Sequence, residues 1–160
     1  MAESLTVSGT TKEEQYASLL PQIEALAEDD AGQLAVLGNI MSALKYGMDF
    51  YWVGLYEVRG DSLILGPFQG TLACTRINYG KGVCGYAWKN KTAVIVEDVN
   101  TFEGHIACST ETKSEIVLPV FDKKGEVRMV LDIDSEKLAH FNKTDEYWLK
   151  KVVAIIEKMI

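Results

Sequence analysis

The chain has 160 residues, 48% of them hydrophobic, and a formal net charge of -7, which suits one well-packed core and leaves too little for two comfortable domains. No Lys/Arg surplus marks out a phosphate-binding face, so no nucleic-acid partner is expected and a small molecule or a protein is the expected partner. The N-terminal MAESLTVSGTTKEEQ lacks the basic and apolar regions of a secretory signal, and no stretch approaches the roughly 20 apolar residues of a membrane span, so a soluble cytoplasmic protein is expected, with no membrane association.

Residues 1–10 are polar and are expected to form a flexible N-terminus, with 11–160 as the folded domain. Thr11 followed by Glu14 has the form of a capping box, and Tyr16, Leu19, Leu20, Ile23 and Leu26 then recur at helical spacing, with Pro21 as a possible kink. A second helix is expected after Asp30, with Leu34, Leu37, Ile40, Met41 and Leu44 on one face and its end at Gly47. The period then changes. FYWVGLYEV and LILGPF, separated by RGDS, form a predicted hairpin, followed by a short strand in TRINY, a short helix in VCGYAWKN and a strand in TAVIV. The aperiodic EDVNTFEGHIACSTETKS is long for a connection, which marks it as a candidate functional segment. EIVLPVF and EVRMVLDID form a second hairpin across DKKG, and a last helix from about Thr144 turns Trp148, Val152, Ile156 and Met159 inward. Helices at both ends of a run of hairpins predict an α+β domain: an antiparallel β-sheet with helices packed on one face and a loop-covered pocket on the other.

Two sets of side chains carry chemistry. Cys74, Cys84 and Cys108 lie in GPFQGTLAC, GKGVCG and FEGHIAC, glycine-punctuated stretches outside any apolar run, a setting that suits reactive thiols better than small buried hydrophobes. An odd cysteine count fits reduced thiols, and the spacing holds neither a CxxC pair nor a histidine at finger distance, so no structural metal is expected. Glu115, Asp132 and Asp134 lie at the ends of apolar strands. Asp132 and Asp134, two apart, share a strand face, and the hairpin brings Glu115 near them; carboxyls so crowded repel, which raises at least one pKa. Trp52 and Tyr56, four apart, also share a face. His105, three residues before Cys108, is a weaker candidate for assisting the thiol. GKG lacks the spacing of a phosphate loop and reads as a turn that sets Cys84 at a helix N-terminus, where the helix dipole lowers a thiol pKa.

GPFQG-x-x-ACTRI, GKGVCG, GHIAC, SEIVLPVF and LDIDS, in this order, closely resemble the free methionine-(R)-sulfoxide reductases, single-domain enzymes of the GAF fold. The resemblance runs from about Phe50 to the C-terminal helix, and its departures, at Thr71-Leu72, Tyr86 and Met129, remove no reactive group. It implies a single GAF-like catalytic domain that reduces free L-methionine-(R)-sulfoxide through a cysteine sulfenic acid and an intramolecular disulfide, with no cofactor and with thioredoxin as reductant. It further implies that Cys108 is the catalytic nucleophile, that Cys84 and Cys74 are candidate resolving thiols, that Glu115, Asp132 and Asp134 bind substrate, and that Trp52 and Tyr56 wall the pocket around its methyl group. Of the two resolving thiols, Cys84 is favoured on the helix-dipole argument. Together with the apolar terminal helices, the resemblance favours a homodimer. The competing reading is a GAF-type small-molecule-binding or redox-sensing module without catalysis.

Overall fold

Alternation of side chains across β-strands, combined with three helical stripes, builds the molecule. The computed structural model describes residues 4–160 and orders its main elements as α1 (Lys12–Leu26), α2 (Gln33–Met48), β1 (Trp52–Arg59), β2 (Ser62–Gln69), β3 (Arg76–Asn78), α3 (Gly82–Asn90), β4 (Val94–Val96), β5 (Ser114–Phe121), β6 (Val127–Ser135) and α4 (Lys143–Glu157). The strands form one antiparallel sheet in the order β3-β2-β1-β6-β5-β4. The expected hairpins are β1–β2 and β5–β6, and pairing β1 with β6 joins them at the centre of the sheet.

That central pairing sorts the residues by parity. Val53, Leu55, Ile116, Leu118, Leu131 and Ile133 point to one face, where they pack with α1, α2 and α4 in the larger apolar cluster. Trp52, Tyr56, Val117 and Val130 point to the other and pack with Val83, Cys84 and Ala87 of α3 in a second cluster. Three helices therefore lie on the expected face, while α3 lies on the pocket side. Two irregularities interrupt the regularity: the register of β5 on β6 shifts between Val120 and Phe121, and Gly66 and Pro67 of β2 stand opposite the single residue Leu55, which accommodates a proline that cannot donate to the ladder.

Local sequence explains the helix ends. Thr11 Oγ1 accepts from Glu14 N at 3.1 Å, the predicted cap, and Pro21 is carried inside α1. The second helix runs past the expected stop at Gly47 and ends with Asp49 in the left-handed conformation (φ 56°). Gly47 serves instead as a contact surface, since a Cβ there would stand 3.0 Å from the Leu19 methyl groups of α1. Leu34, expected on the buried face, is 75% exposed, while Val36 and Leu37 of the same helix are buried. Residues 4–10, expected to be flexible, lie along α1: Thr6 N donates to Gln22 Oε1 at 3.0 Å, Gln22 Nε2 donates to Thr6 O at 2.8 Å, and Val7 packs on the core. The expectation for residues 1–3 falls outside the described residues. Among the described residues, no helix is long and apolar enough to cross a membrane.

A buried carboxylate pins the first helix to the last. Asp145 accepts from Tyr16 Oη at 2.6 Å, from Lys12 Nζ at 2.7 Å and from Asn142 N at 2.9 Å, the last closing a capping box at the start of α4. Removing it strands a buried tyrosine hydroxyl and an ammonium that is mostly shielded from water. Replacing Asp145 with Ala is expected to lower unfolding free energy by about 2–3 kcal/mol. Urea denaturation checks this, and a loss below about 0.5 kcal/mol would contradict the assigned role.

Candidate active site

The floor of the site follows from strand register. Glu115 of β5 pairs with Asp134 of β6, and Val117 pairs with Asp132, so parity turns all three acids to the α3 side of the sheet. Glu115 and Asp132 are each 6% exposed. Burial, and after it the neighbouring Asp132, raises the pKa of Glu115 and of Asp134 well above the usual carboxylate range. Asp132 is raised by burial too, tempered by hydrogen bonding from Glu115 and Cys84. Asp132 Oδ1, Asp134 Oδ1 and Thr112 Oγ1 are buried without a hydrogen-bond partner. Buried polar atoms are rarely left unpaired, and three in one place mark a site built for a polar ligand.

Aromatic rings form one wall. Trp52 stacks with Phe68 and Tyr56 at ring-centroid distances of 5.5 and 6.2 Å. Gly54, between Trp52 and Tyr56 on the same strand face, leaves the space that the Trp52 ring occupies, because a Cβ there would collide with the ring. The same rings hold the loop after β2: Trp52 Nε1 donates to Thr71 O at 3.0 Å and Tyr56 Oη donates to Cys74 O at 3.0 Å. The Tyr51 hydroxyl lies 3.2 Å from Ser109 Oγ and 3.3 Å from Thr71 Oγ1, which ties this loop to the long segment after β4.

Those two loops meet in a disulfide. Cys74 is bonded to Cys108, and Cys84 is a buried free thiol. The expected preference for Cys84 as partner of Cys108 is corrected on this point. The helix-dipole argument for Cys84 fails for an electrostatic reason: burial first, and then Asp132, Glu115 and Asp134, raise its thiol pKa well above the ordinary value. It is held as S–H and donates toward Glu115 Oε1 at 4.0 Å. His105 Nε2 stands 3.8 Å from Glu115 Oε2, and burial lowers the imidazole pKa, so it faces the acids as a neutral ring.

Together these groups line one pocket, and the site residues expected from the sequence line it except Cys74, which is bonded to the lining residue Cys108. Tyr51, Ser109 and Thr112 also contribute and were not picked out in the sequence. The polar run STETKS after Cys108 was the signal for Ser109 and Thr112, and it does not distinguish a pocket wall from a solvated loop; Tyr51 stands one residue before Trp52 in FYWVGLYEV.

Because the folded protein keeps protons on carboxyls that the unfolded chain releases, this cluster costs stability as pH rises through the ordinary carboxylate range toward the raised values; below that range the cost is absent. Asp134→Asn is therefore expected to melt at a higher temperature than wild type near neutral pH, with the advantage shrinking toward about pH 4. Thermal unfolding across that range is the check, and a variant less stable than wild type at neutral pH would contradict the reading.

Comparison with known proteins places this geometry in a family. Residues 34–160 match the GAF domain family. The chain is 50% identical over 158 residues to the GAF domain-containing protein A of Dictyostelium discoideum, covering 98% of this chain and 99% of that one. It is 44% identical to the free methionine-R-sulfoxide reductase of Escherichia coli, covering 93% of this chain and 90% of the relative. The solved structure of the free methionine-R-sulfoxide reductase of Neisseria meningitidis in complex with its substrate superposes with a TM-score of 0.94 at 45% identity, covering 98% of this chain and 94% of that one. The chain belongs to the GAF domain family, and free methionine-R-sulfoxide reductases are among its relatives at high identity over nearly their whole length.

Proposed function

We propose that the chain is an oxidoreductase that reduces free L-methionine-(R)-sulfoxide to methionine. The observation that carries this reading is the Cys74–Cys108 disulfide standing over a pocket with a floor of buried carboxyls and a wall of aromatic rings. The reductases of E. coli and N. meningitidis, similar along almost the entire chain, support the substrate.

Each part of the pocket suits one part of that substrate. A free amino acid presents an ammonium, and the orphaned oxygens of Asp132 and Asp134 are acceptors without donors. Trp52 and Tyr56 offer an apolar, polarisable surface for a sulfur-bound methyl group. Cys108 is the nucleophile: its thiolate attacks the sulfoxide sulfur, and the oxygen receives a proton from the acid cluster, whose raised pKa values keep protons available near neutral pH. Oxygen passes to Cys108 as a sulfenic acid, and methionine leaves. The Cys74 thiol then attacks the sulfenic sulfur, a water molecule departs, and the disulfide forms. A dithiol protein such as thioredoxin supplies two electrons and two protons to restore both thiols.

Single-turnover chemistry separates the roles. With pre-reduced enzyme and no recycling system, wild type and Cys74→Ser are each expected to yield about one equivalent of methionine and Cys108→Ser none, while multiple turnover with thioredoxin is lost in both variants. Chromatographic quantification of methionine provides the test. Stoichiometric product from Cys108→Ser would overturn the nucleophile, and full multiple turnover by Cys74→Ser would overturn its role as resolver.

A further inference from the structure

Cys84 has no part in the disulfide, yet it lies at the centre of the acid cluster. Its sulfur, a carboxylate oxygen of Glu115 and one of Asp132 all lie within 4.8 Å of one another, and all three residues are buried. A tetrahedral zinc ion with Zn–S near 2.3 Å and Zn–O near 2.0 Å holds sulfur and oxygen ligands roughly 3.5 Å apart. The Cys84 to Glu115 separation of 4.0 Å needs only a small contraction to reach this. A second observation comes from outside these three residues: Asp134 Oδ1 is a further buried acceptor with no hydrogen-bond partner.

We propose that Cys84, Glu115 and Asp132 form a binding site for a borderline-soft divalent cation, Zn²⁺ in particular, that occupies the pocket in place of substrate. One thiolate and two carboxylates supply three ligands. The His105 imidazole also lines the pocket, with Nε2 3.8 Å from the second oxygen of Glu115. On binding, the Cys84 thiol and any protonated ligand carboxyl of Glu115 or Asp132 give their protons to solvent, and sulfur–metal and oxygen–metal bonds replace the S–H and O–H bonds; no oxidation is involved. No motif spacing announces the site, because its donors come from α3, β5 and β6. The competition with substrate rests on the proposed function; the metal site does not.

The disulfide form makes a clean test, since Cys84 is then the sole free thiol. Titrating oxidised protein with Co²⁺ should produce a near-ultraviolet thiolate-to-cobalt charge-transfer band that saturates at one equivalent and is displaced by Zn²⁺. The band should vanish in Cys84→Ser, and affinity should fall at least about tenfold in Asp132→Asn. Circular dichroism shows whether each variant remains folded, and Glu115→Gln serves as a further ligand variant should Cys84→Ser unfold. Absence of the band in folded wild type, or its persistence in Cys84→Ser, overturns the site. Addition of methionine-(R)-sulfoxide should weaken apparent Co²⁺ affinity in proportion to its concentration. An unchanged cobalt affinity would overturn the competition while leaving the metal site, and a working reductase without the band would leave the proposed function intact.

Discussion

Three carboxyl groups cannot all ionise in one buried pocket unless a cation comes to them, because desolvation and mutual repulsion both oppose the charged forms. Much of this protein answers to that constraint. The β1–β6 pairing at the centre of the sheet puts aliphatic residues under three helices and sends Glu115, Asp132 and Asp134 to the opposite side. The larger apolar cluster then supplies the stability against which a strained polar site can be maintained. Cys84 shares the same environment, and its thiol is held protonated by burial first and by the same carboxyls after it.

The loops over the acids are held by the pocket's own aromatic wall. Tyr56 fixes the carbonyl of Cys74, Trp52 fixes that of Thr71, and Tyr51 joins Thr71 to Ser109 beside Cys108. The residues that shape the cavity thus also hold the segments that bear its two paired cysteines.

Much of this was readable in the chain because it is local. Alternation in WVGLYEV, SEIVLPVF and VRMVLDID gave the strands and the shared faces of Trp52 with Tyr56 and of Asp132 with Asp134. Thr11 and Glu14 gave the first cap. What escaped depends on contacts between distant segments. Cys84 was judged by its helix N-terminus, a local feature, but its protonation is governed first by burial and then by carboxyls 31 or more residues away in the chain. The proximity of Cys74 and Cys108, 34 residues apart, depends on the tyrosine hydrogen bonds that gather their loops. Leu34 was assigned to a buried stripe by its period, yet it stays 75% exposed while Val36 and Leu37 take the buried positions at the start of α2.

The central claim is that the acid cluster holds a proton in the free protein and that a cationic ligand shifts its titration. Carbon-13 NMR of isotopically labelled aspartate and glutamate side chains, followed across pH with and without methionine-(R)-sulfoxide, observes this directly. The account predicts that at least one of Glu115, Asp132 and Asp134 remains protonated near neutral pH in the free protein, and that the ligand shifts the titration of the cluster. Three carboxyls that titrate in the ordinary range of about pH 4, indifferent to the ligand, would contradict it.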